Sequence, residues 1–275
     1  MVSKTVLITG VTGTIGKATA IELLKNDCHL ILLGRNTEKL YTVKSEISGA
    51  TGKYDPDVVI ADLSEPKSIK KAVEGIRKRY SSLDALINVA AIFKSKYTTN
   101  STGLEYMFAT NHIGPFVLTN EVLPLLKAGK SARVISLSAP STTKINFDDL
   151  QGQNKFSAGF LGAFGASKMM NIMFTYALAR RMEGTGVSAS VFHPGLVKSD
   201  LTNEMPVVID FFFKSISSPP DKAAQSLCRL ATDEKYANSN GKFYKVGGKE
   251  IKSNSYSYDI SLQEKLWEIS EKLAK

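Results

Sequence analysis

The stretch TVLITGVTGTIGKATA, residues 5–20, decides how the chain is read. It opens as a β-branched apolar run, turns through Gly10, Gly13 and Gly16, and continues with the apolar spacing of a helix. A strand, a glycine-rich turn and a helix in that order make the first half of a β–α–β unit. The same alternation recurs outward along the chain. HLILLG (29–34) precedes NTEKLYTVKSEI, DVVIADL (57–63) precedes PKSIKKAVEGIRKRY, and LDALINVAA (83–91) precedes a long helix over LEYMFATNHIGPFVLTNEVLPLLK. SARVISLSA (131–139) and a helix through FGASKMMNIMFTYALARRMEG then lead to VSASVFHPG (187–195). Continuous apolar strands alternating with helices imply a parallel sheet buried on both faces, with right-handed crossovers. The expected fold class is therefore α/β: one single-domain, doubly wound parallel sheet of about seven strands flanked by helices, spanning residues 1–275.

Past the sixth strand the pattern loosens. KSDLTNEMPVVIDFFFKSISSPP (198–220) places an apolar cluster with Phe211, Phe212 and Phe213 between polar flanks. A loop of this length is usually functional, so a substrate lid is expected, with a surface helix packed on the core as the alternative. A further helix (221–233), a short strand (242–246) and the terminal helix LQEKLWEISEKLA complete the domain.

Composition sets the outer bounds. With 275 residues, 43% hydrophobic and 22% charged, the chain can bury a full core in one large domain. No apolar run approaches the roughly 20 residues that span a bilayer. The start MVSKTVLITG shows no basic n-region or cleavage site. The expectation is a cytoplasmic protein without a transmembrane segment, peripheral membrane contact staying open. Cys28 and Cys228 lie far apart in sequence without metal-ligand spacing, which predicts no metal site and two small core residues. The net charge of +9 comes from scattered lysines with no aromatic-interleaved basic stripe, so a phosphate-bearing ligand is expected and nucleic acid is not.

A glycine turn at the first strand-to-helix junction of a doubly wound sheet lets backbone N–H groups and a helix N-terminus approach a pyrophosphate. The second strand ends LLGRN. A carboxylate there would bridge the ribose hydroxyls of NAD(H), whereas Arg35 would meet a 2′-phosphate, so NADP(H) is preferred over NAD(H). For Asp62 the alternative reading is a cap on the turn that Ser64 and Glu65 begin.

The segments TGVTGTIGK, ADLS, DALINVAA, TNHIGPFVLT, INFDDL, FGASKMMNIMFTYALARRMEGTGV, FHPGLVKSDL and KLWEISEKL resemble the short-chain dehydrogenase/reductase family and its Rossmann fold. Within it they are similar to the retinol-dehydrogenase-like and protochlorophyllide-reductase-like branch. The resemblance covers nearly the whole chain. It implies that Gly10, Thr12, Ile15 and Gly16 hold the pyrophosphate, with Thr14 where the family has its central loop glycine. It implies that Arg35 and Asn36 hold the adenosine phosphate and that Asp62 with Leu63 meets adenine. Asn88 and Ala90 would line the cleft, in a motif that reads Asn88, Val89, Ala90, Ala91 where the family has Asn-Asn-Ala-Gly. Pro194, Gly195 and Val197 would meet the nicotinamide through the backbone. A β-branched Thr14 would narrow the phosphate site or change its backbone angle.

Members of this family use a tyrosine as general acid/base, a lysine one helical turn on that lowers the tyrosine's pKa and binds the nicotinamide ribose, a serine that polarises the carbonyl, and an asparagine that supports a water relay. By resemblance Asn111 and Lys168 match, the tyrosine position falls on Phe164, and the serine position falls on Ala139. Ser138, one residue earlier, points the other way by strand alternation. Other candidate proton donors are Lys168 itself, Ser138, Ser141, His193 and Tyr97. Three functions stay open from the sequence: an NADP(H)-dependent oxidoreductase acting on a small lipophilic substrate that needs little protein acid, a nucleotide-binding pseudo-reductase serving as sensor, scaffold or partner subunit, and a non-redox enzyme on the same fold. Phe160 and Leu161, with the phenylalanines of 211–213, favour a lipophilic substrate. The resemblance allows a monomer or a homodimer.

Overall fold

The computed structural model describes residues 3–53, 55–154, 156–159, 161–198 and 218–275. The expected lid, apart from Lys198 and residues 218–220, lies outside the described residues, as does Phe160.

The strands are β1 (Thr5–Thr9), β2 (His29–Gly34), β3 (Asp57–Ile60), β4 (Ala85–Asn88), β5 (Ala132–Leu137), β6 (Val187–His193), β7 (Lys242–Lys245) and β8 (Lys249–Ile251). They form one sheet in the order β3-β2-β1-β4-β5-β6-β7-β8. All pairs are parallel except β7 with β8. The sheet thus has eight strands where the sequence predicts about seven. The eighth is the short antiparallel return KEI, whose two exposed charged residues leave no apolar run to read. Gly247 and Gly248, both at positive φ, make the turn before it.

The helices are α1 (Thr14–Lys25), α2 (Thr37–Thr51), α3 (Pro66–Arg79), α4 (Tyr106–Phe108), α5 (Gly114–Ala128), α6 (Ala163–Arg181), α7 (Asp221–Thr232) and α8 (Ile260–Leu273). The sequence predicts one long helix where α4 and α5 stand. The chain is helical throughout that stretch, but a π-helical turn at Ala109–Ile113 separates the two.

Alternate residues of each strand enter different cores. Leu7, Leu33, Leu86 and Val134 pack with α3, α5, α6 and α8 on one face. Ile8, Leu32, Ile87 and Ile135 pack with α1, α2 and α7 on the other. This is why the strands read as unbroken apolar runs: the two-residue period places every second side chain in each core. Each such side chain, fully buried, stabilises the fold by about 1.5–3 kcal/mol relative to exposure. Cys28 and Cys228 are free thiols in the second core, and burial pushes them up to about 12 and about 11.

The terminal helix is fastened to α6. Trp267 packs edge-on to Phe116 at 5.0 Å and stacks on Phe174 at 5.7 Å, with the Arg181 guanidinium 3.9 Å above its ring. Glu264 pairs with both Arg180 and Arg181. The Arg181 hydrogen bond is foremost in holding that carboxyl down to about 2. No helix among the described residues is long and apolar enough to cross a membrane.

Candidate functional site

The sheet changes winding direction between β1 and β4, and ligands of such sheets bind at the carboxyl ends of the strands on either side of that point. There the Thr9 hydroxyl accepts the N–H groups of Val89 (3.1 Å) and Ala90 (3.2 Å), tying the two strand ends together. Gly10 sits at φ +73°, and a Cβ on it would lie 2.7 Å from the Ala90 nitrogen. A Cβ on Gly16 would lie 2.2 Å from the Gly10 carbonyl oxygen. Both glycines are therefore required for the loop to fold back on itself. Gly13 is the N-cap of α1, no side chain caps the helix, and its first turn holds no acidic residue. The free N–H groups of Thr14, Ile15 and Gly16 and the positive end of the helix dipole suit a phosphate. Thr12 is exposed beside them. Thr14 opens the helix and is not among the residues at positive φ, so its β-branched side chain creates no backbone strain. The loop fits a pyrophosphate.

At the adenosine end, β2 pairs with β3 in a register that sets Gly34 beside Ile60, and Ala61 N–H donates to Gly34 at 2.9 Å. Arg35 and Asp62 consequently emerge together. Asp62 Oδ1 accepts from the backbone and hydroxyl of Ser64 (2.8 and 2.7 Å), so the residue does cap its turn. Its Oδ2 faces the Arg35 guanidinium at 3.8 Å. The sequence places no carboxylate in the turn that carries Arg35; the β2–β3 register supplies one through space. Asn36 Oδ1 accepts from Lys39 N–H at 2.8 Å and caps α2, which leaves its amide N–H groups for a ligand. Leu63 is buried, and α5 approaches so closely that a Cβ on Gly114 would lie 2.4 Å from the Leu63 carbonyl oxygen.

At the other end of the cleft, Gly195 takes φ +75° after Pro194, and Val197 forms a parallel bridge with Ser218. Asn88 is buried, and its amide donates to the Thr119 hydroxyl at 3.2 Å. Its Oδ1, and the Oγ of Ser136 beside it in the β4–β5 register, have no hydrogen-bond partner among the described residues.

The residues expected to carry chemistry converge on the start of α6. Phe164 is 3% exposed and packs edge-on against Phe93 at 5.8 Å, in a cluster with Met107. Lys168 lies one turn on, buried, with Nζ 5.0 Å from the centre of the Phe164 ring. Burial without a compensating carboxylate pushes the amine down to about 8. Ser138 turns its hydroxyl to the Lys168 carbonyl (2.8 Å) and Ser141 turns its own to Gly165 (2.9 Å), so both proton-donor candidates are spent on the helix backbone. Ala139 is half-buried at the strand end. His193 is held below its ordinary value by burial, and its Nδ1 has no hydrogen-bond partner among the described residues. Tyr97 packs edge-on against Phe156, which itself borders the cluster of Phe93, Met107 and Phe164.

Asn111 occupies the π-helical turn. Its amide accepts from Ile92 N–H (2.8 Å), donates to the Ile92 carbonyl (2.9 Å), and donates to Ser167 on α6 (3.2 Å). Pro115 has no N–H for the carbonyl four residues before it, that of Asn111. Asn171 donates to that oxygen instead, at 2.8 Å. Behind it, His112 contacts Asn171 Oδ1 (3.4 Å) and Ser270 Oγ (2.9 Å). His112 is fully buried and pushed down to about 4, hence neutral. With the proton on Nδ1, His112 donates to Asn171 and Asn171 to the Asn111 carbonyl, while the Ser270 hydroxyl beside Nε2 donates to the Leu266 carbonyl at 2.7 Å. Sequence reading misses Thr9, Tyr106, Asn171, His112 and Ser270. Only Pro115, directly after the TNHIG segment, signals locally that a carbonyl needs an outside donor.

Residues 4–207 match the model of the short chain dehydrogenase family. Retinol dehydrogenase 14 of Homo sapiens is 32% identical over 98% of this chain and 86% of its own length. An uncharacterized protein from Mycobacterium paratuberculosis has a crystal structure that superposes with a TM-score of 0.80, at 26% identity, covering 98% of this chain and 93% of that one. A short chain dehydrogenase from Burkholderia cenocepacia, solved in complex with NADP, superposes with a TM-score of 0.70 at 22% identity, covering 89% and 96%. The glycine loop at the winding switch, the lysine of α6 and the full-length likeness agree, and the chain belongs to the short-chain dehydrogenase family.

Proposed function

We propose that the chain is an NADP(H)-dependent oxidoreductase acting on a small lipophilic molecule, at a C=O, C=N or activated C=C bond, without a side-chain hydroxyl as proton donor. The observation that carries this reading is Lys168 Nζ standing over the Phe164 ring in an apolar cluster, at the position that the family resemblance gives to the catalytic pair. A bound nicotinamide would supply or accept hydride. Lys168, pushed down to about 8, exchanges its proton near neutrality and is the titratable group best suited to serve there. Phe93, Met107 and Phe164 exclude water and favour an apolar substrate. Arg35 at the end of β2 supports the phosphorylated cofactor, as does the NADP bound by the Burkholderia relative. The reading includes a cytoplasmic protein, monomeric or a homodimer, with peripheral membrane contact left open.

The second reading is a nucleotide-binding protein without hydride transfer. It is favoured by Ser138, Ser141 and Asn111, whose polar groups are all engaged within the protein and give a substrate no unspent hydroxyl. The experiment is a fluorescence titration with NADPH and NADH, followed by a screen of lipophilic aldehydes, enones and imines. Turnover by the unmodified chain supports the first reading; tight NADPH binding with turnover only in Phe164→Tyr/Ala139→Ser supports the second. Absence of nucleotide binding overturns both.

A further inference from the structure

Tyr106 enters the adenosine end of the cleft from a third direction. Its backbone N–H donates to the Thr98 carbonyl at 2.8 Å. The preceding Glu105 is 1% exposed, and its carboxylate accepts from Met107 (3.0 Å) and Phe108 (2.6 Å) while its N–H donates to Gln151 at 2.7 Å. Tyr106 therefore stands on a backbone fixed on both sides. From there its hydroxyl accepts a hydrogen bond from Arg35 Nη1, and its ring lies 5.9 Å from the guanidinium carbon.

Arg35 is otherwise a long arm, its side chain 57% exposed, with Asp62 the carboxylate beside it. An unrestrained arm at this place would lose rotamer freedom on binding a phosphate, or would fold onto Asp62. Tyr106 engages Nη1 through its hydroxyl, and its ring lies beside the guanidinium. Nε and Nη2, which have no hydrogen-bond partner among the described residues, form the edge that meets a phosphate in paired fashion.

We propose that Tyr106 is a specificity-determining positioning residue: it holds Arg35 preorganised for a ribose 2′-phosphate, so that discrimination between the phosphorylated and unphosphorylated dinucleotide depends on both. The inference rests on Arg35 meeting that phosphate, as in the function proposed above.

The test uses two fragments that differ only in the group at issue, adenosine 2′,5′-bisphosphate and 5′-AMP. Calorimetry measures both on the full chain and on Tyr106→Phe, Tyr106→Ala, Arg35→Ala and Arg35→Ala/Tyr106→Ala, each checked for an unchanged melting curve. Loss of one ring-cation contact and one hydrogen bond predicts about tenfold weaker binding of the bisphosphate by Tyr106→Ala and about threefold by Tyr106→Phe. Binding of 5′-AMP stays unchanged, and Tyr106→Ala adds nothing once Arg35 is gone. Equal weakening of both fragments overturns the inference and places Tyr106 against the shared adenosine. Additive losses in the double variant, or an undiminished preference in Tyr106→Ala, overturn it also. If the unmodified chain binds both fragments equally, the Arg35 reading itself falls and Tyr106 with it.

Discussion

The two ends of the cleft are built on opposite plans. At the adenosine end, Arg35, Asp62 and Tyr106 come from separate parts of the chain and reach solvent, and Arg35 keeps donors unspent. At the α6 end, Phe164, Lys168, Ser138 and Asn111 are buried, and nearly every polar group is consumed by the protein itself. The first arrangement is suited to catching a charged ligand. The second is suited to excluding water around one lysine, which leaves it little polar chemistry of its own to offer.

The largest effect should come from giving the buried end back its missing hydroxyls. Phe164→Tyr/Ala139→Ser is expected to raise turnover of a lipophilic aldehyde by about 10² to 10⁴ while NADPH affinity stays the same. Steady-state kinetics beside a binding titration reads both, and a parallel change in affinity would show that the two ends are not separable. Next in size is a packing test. Trp267→Ala is expected to lower unfolding free energy by about 3–5 kcal/mol, because α6 is braced through that ring. Arg35→Ala is expected to stay within about 0.5 kcal/mol. Urea denaturation of the two variants measures the contrast directly.

A third prediction concerns pH. Lys168 is lowered from 10.5 to about 8 in the fold. Between those values the unfolded chain holds the proton and the folded chain has released it, so stability rises with pH there, by at most about 1.4 kcal/mol per unit. Below about 8 the cost of the buried charge is fully present. Lys168→Met removes that slope, and denaturation at pH 7, 9 and 10 detects it. The smallest effect belongs to Glu264→Gln, at most about 1 kcal/mol because the site is partly exposed. With the carboxyl lowered from 4.5 to about 2, its contribution is present above 4.5 and lost as pH falls towards 2. The variant should therefore melt like the unmodified chain in strong acid.

What could be read from the chain alone follows the same division. The glycine loop, Arg35 and the alternation of strands depend on residues adjacent in sequence, and the structure places them as the pattern implies. β8 escaped because three residues, two of them charged, carry no period. The carboxylate beside Arg35 escaped because strand register, not local sequence, brings Asp62 there. The contacts that link Asn171, His112 and Ser270 escaped for a related reason. Ser270 lies 158 residues from His112, and hydroxyls on helices commonly satisfy their own backbone. Only the packing of α8 on α6 makes that contact meaningful.

The bridge between Val197 and Ser218, with Lys198 and Ser218 exchanging backbone hydrogen bonds with their neighbours across it, has an evolutionary consequence. The bridge brings Val197 and Ser218 together outside the register of the main sheet. Because the entropy of closing a loop grows only with the logarithm of its length, doubling the insert between them costs about 0.6 kcal/mol. A change in the number of residues between Lys198 and Ser218 is therefore expected to cost the rest of the fold little, because the main sheet's register does not include the bridge.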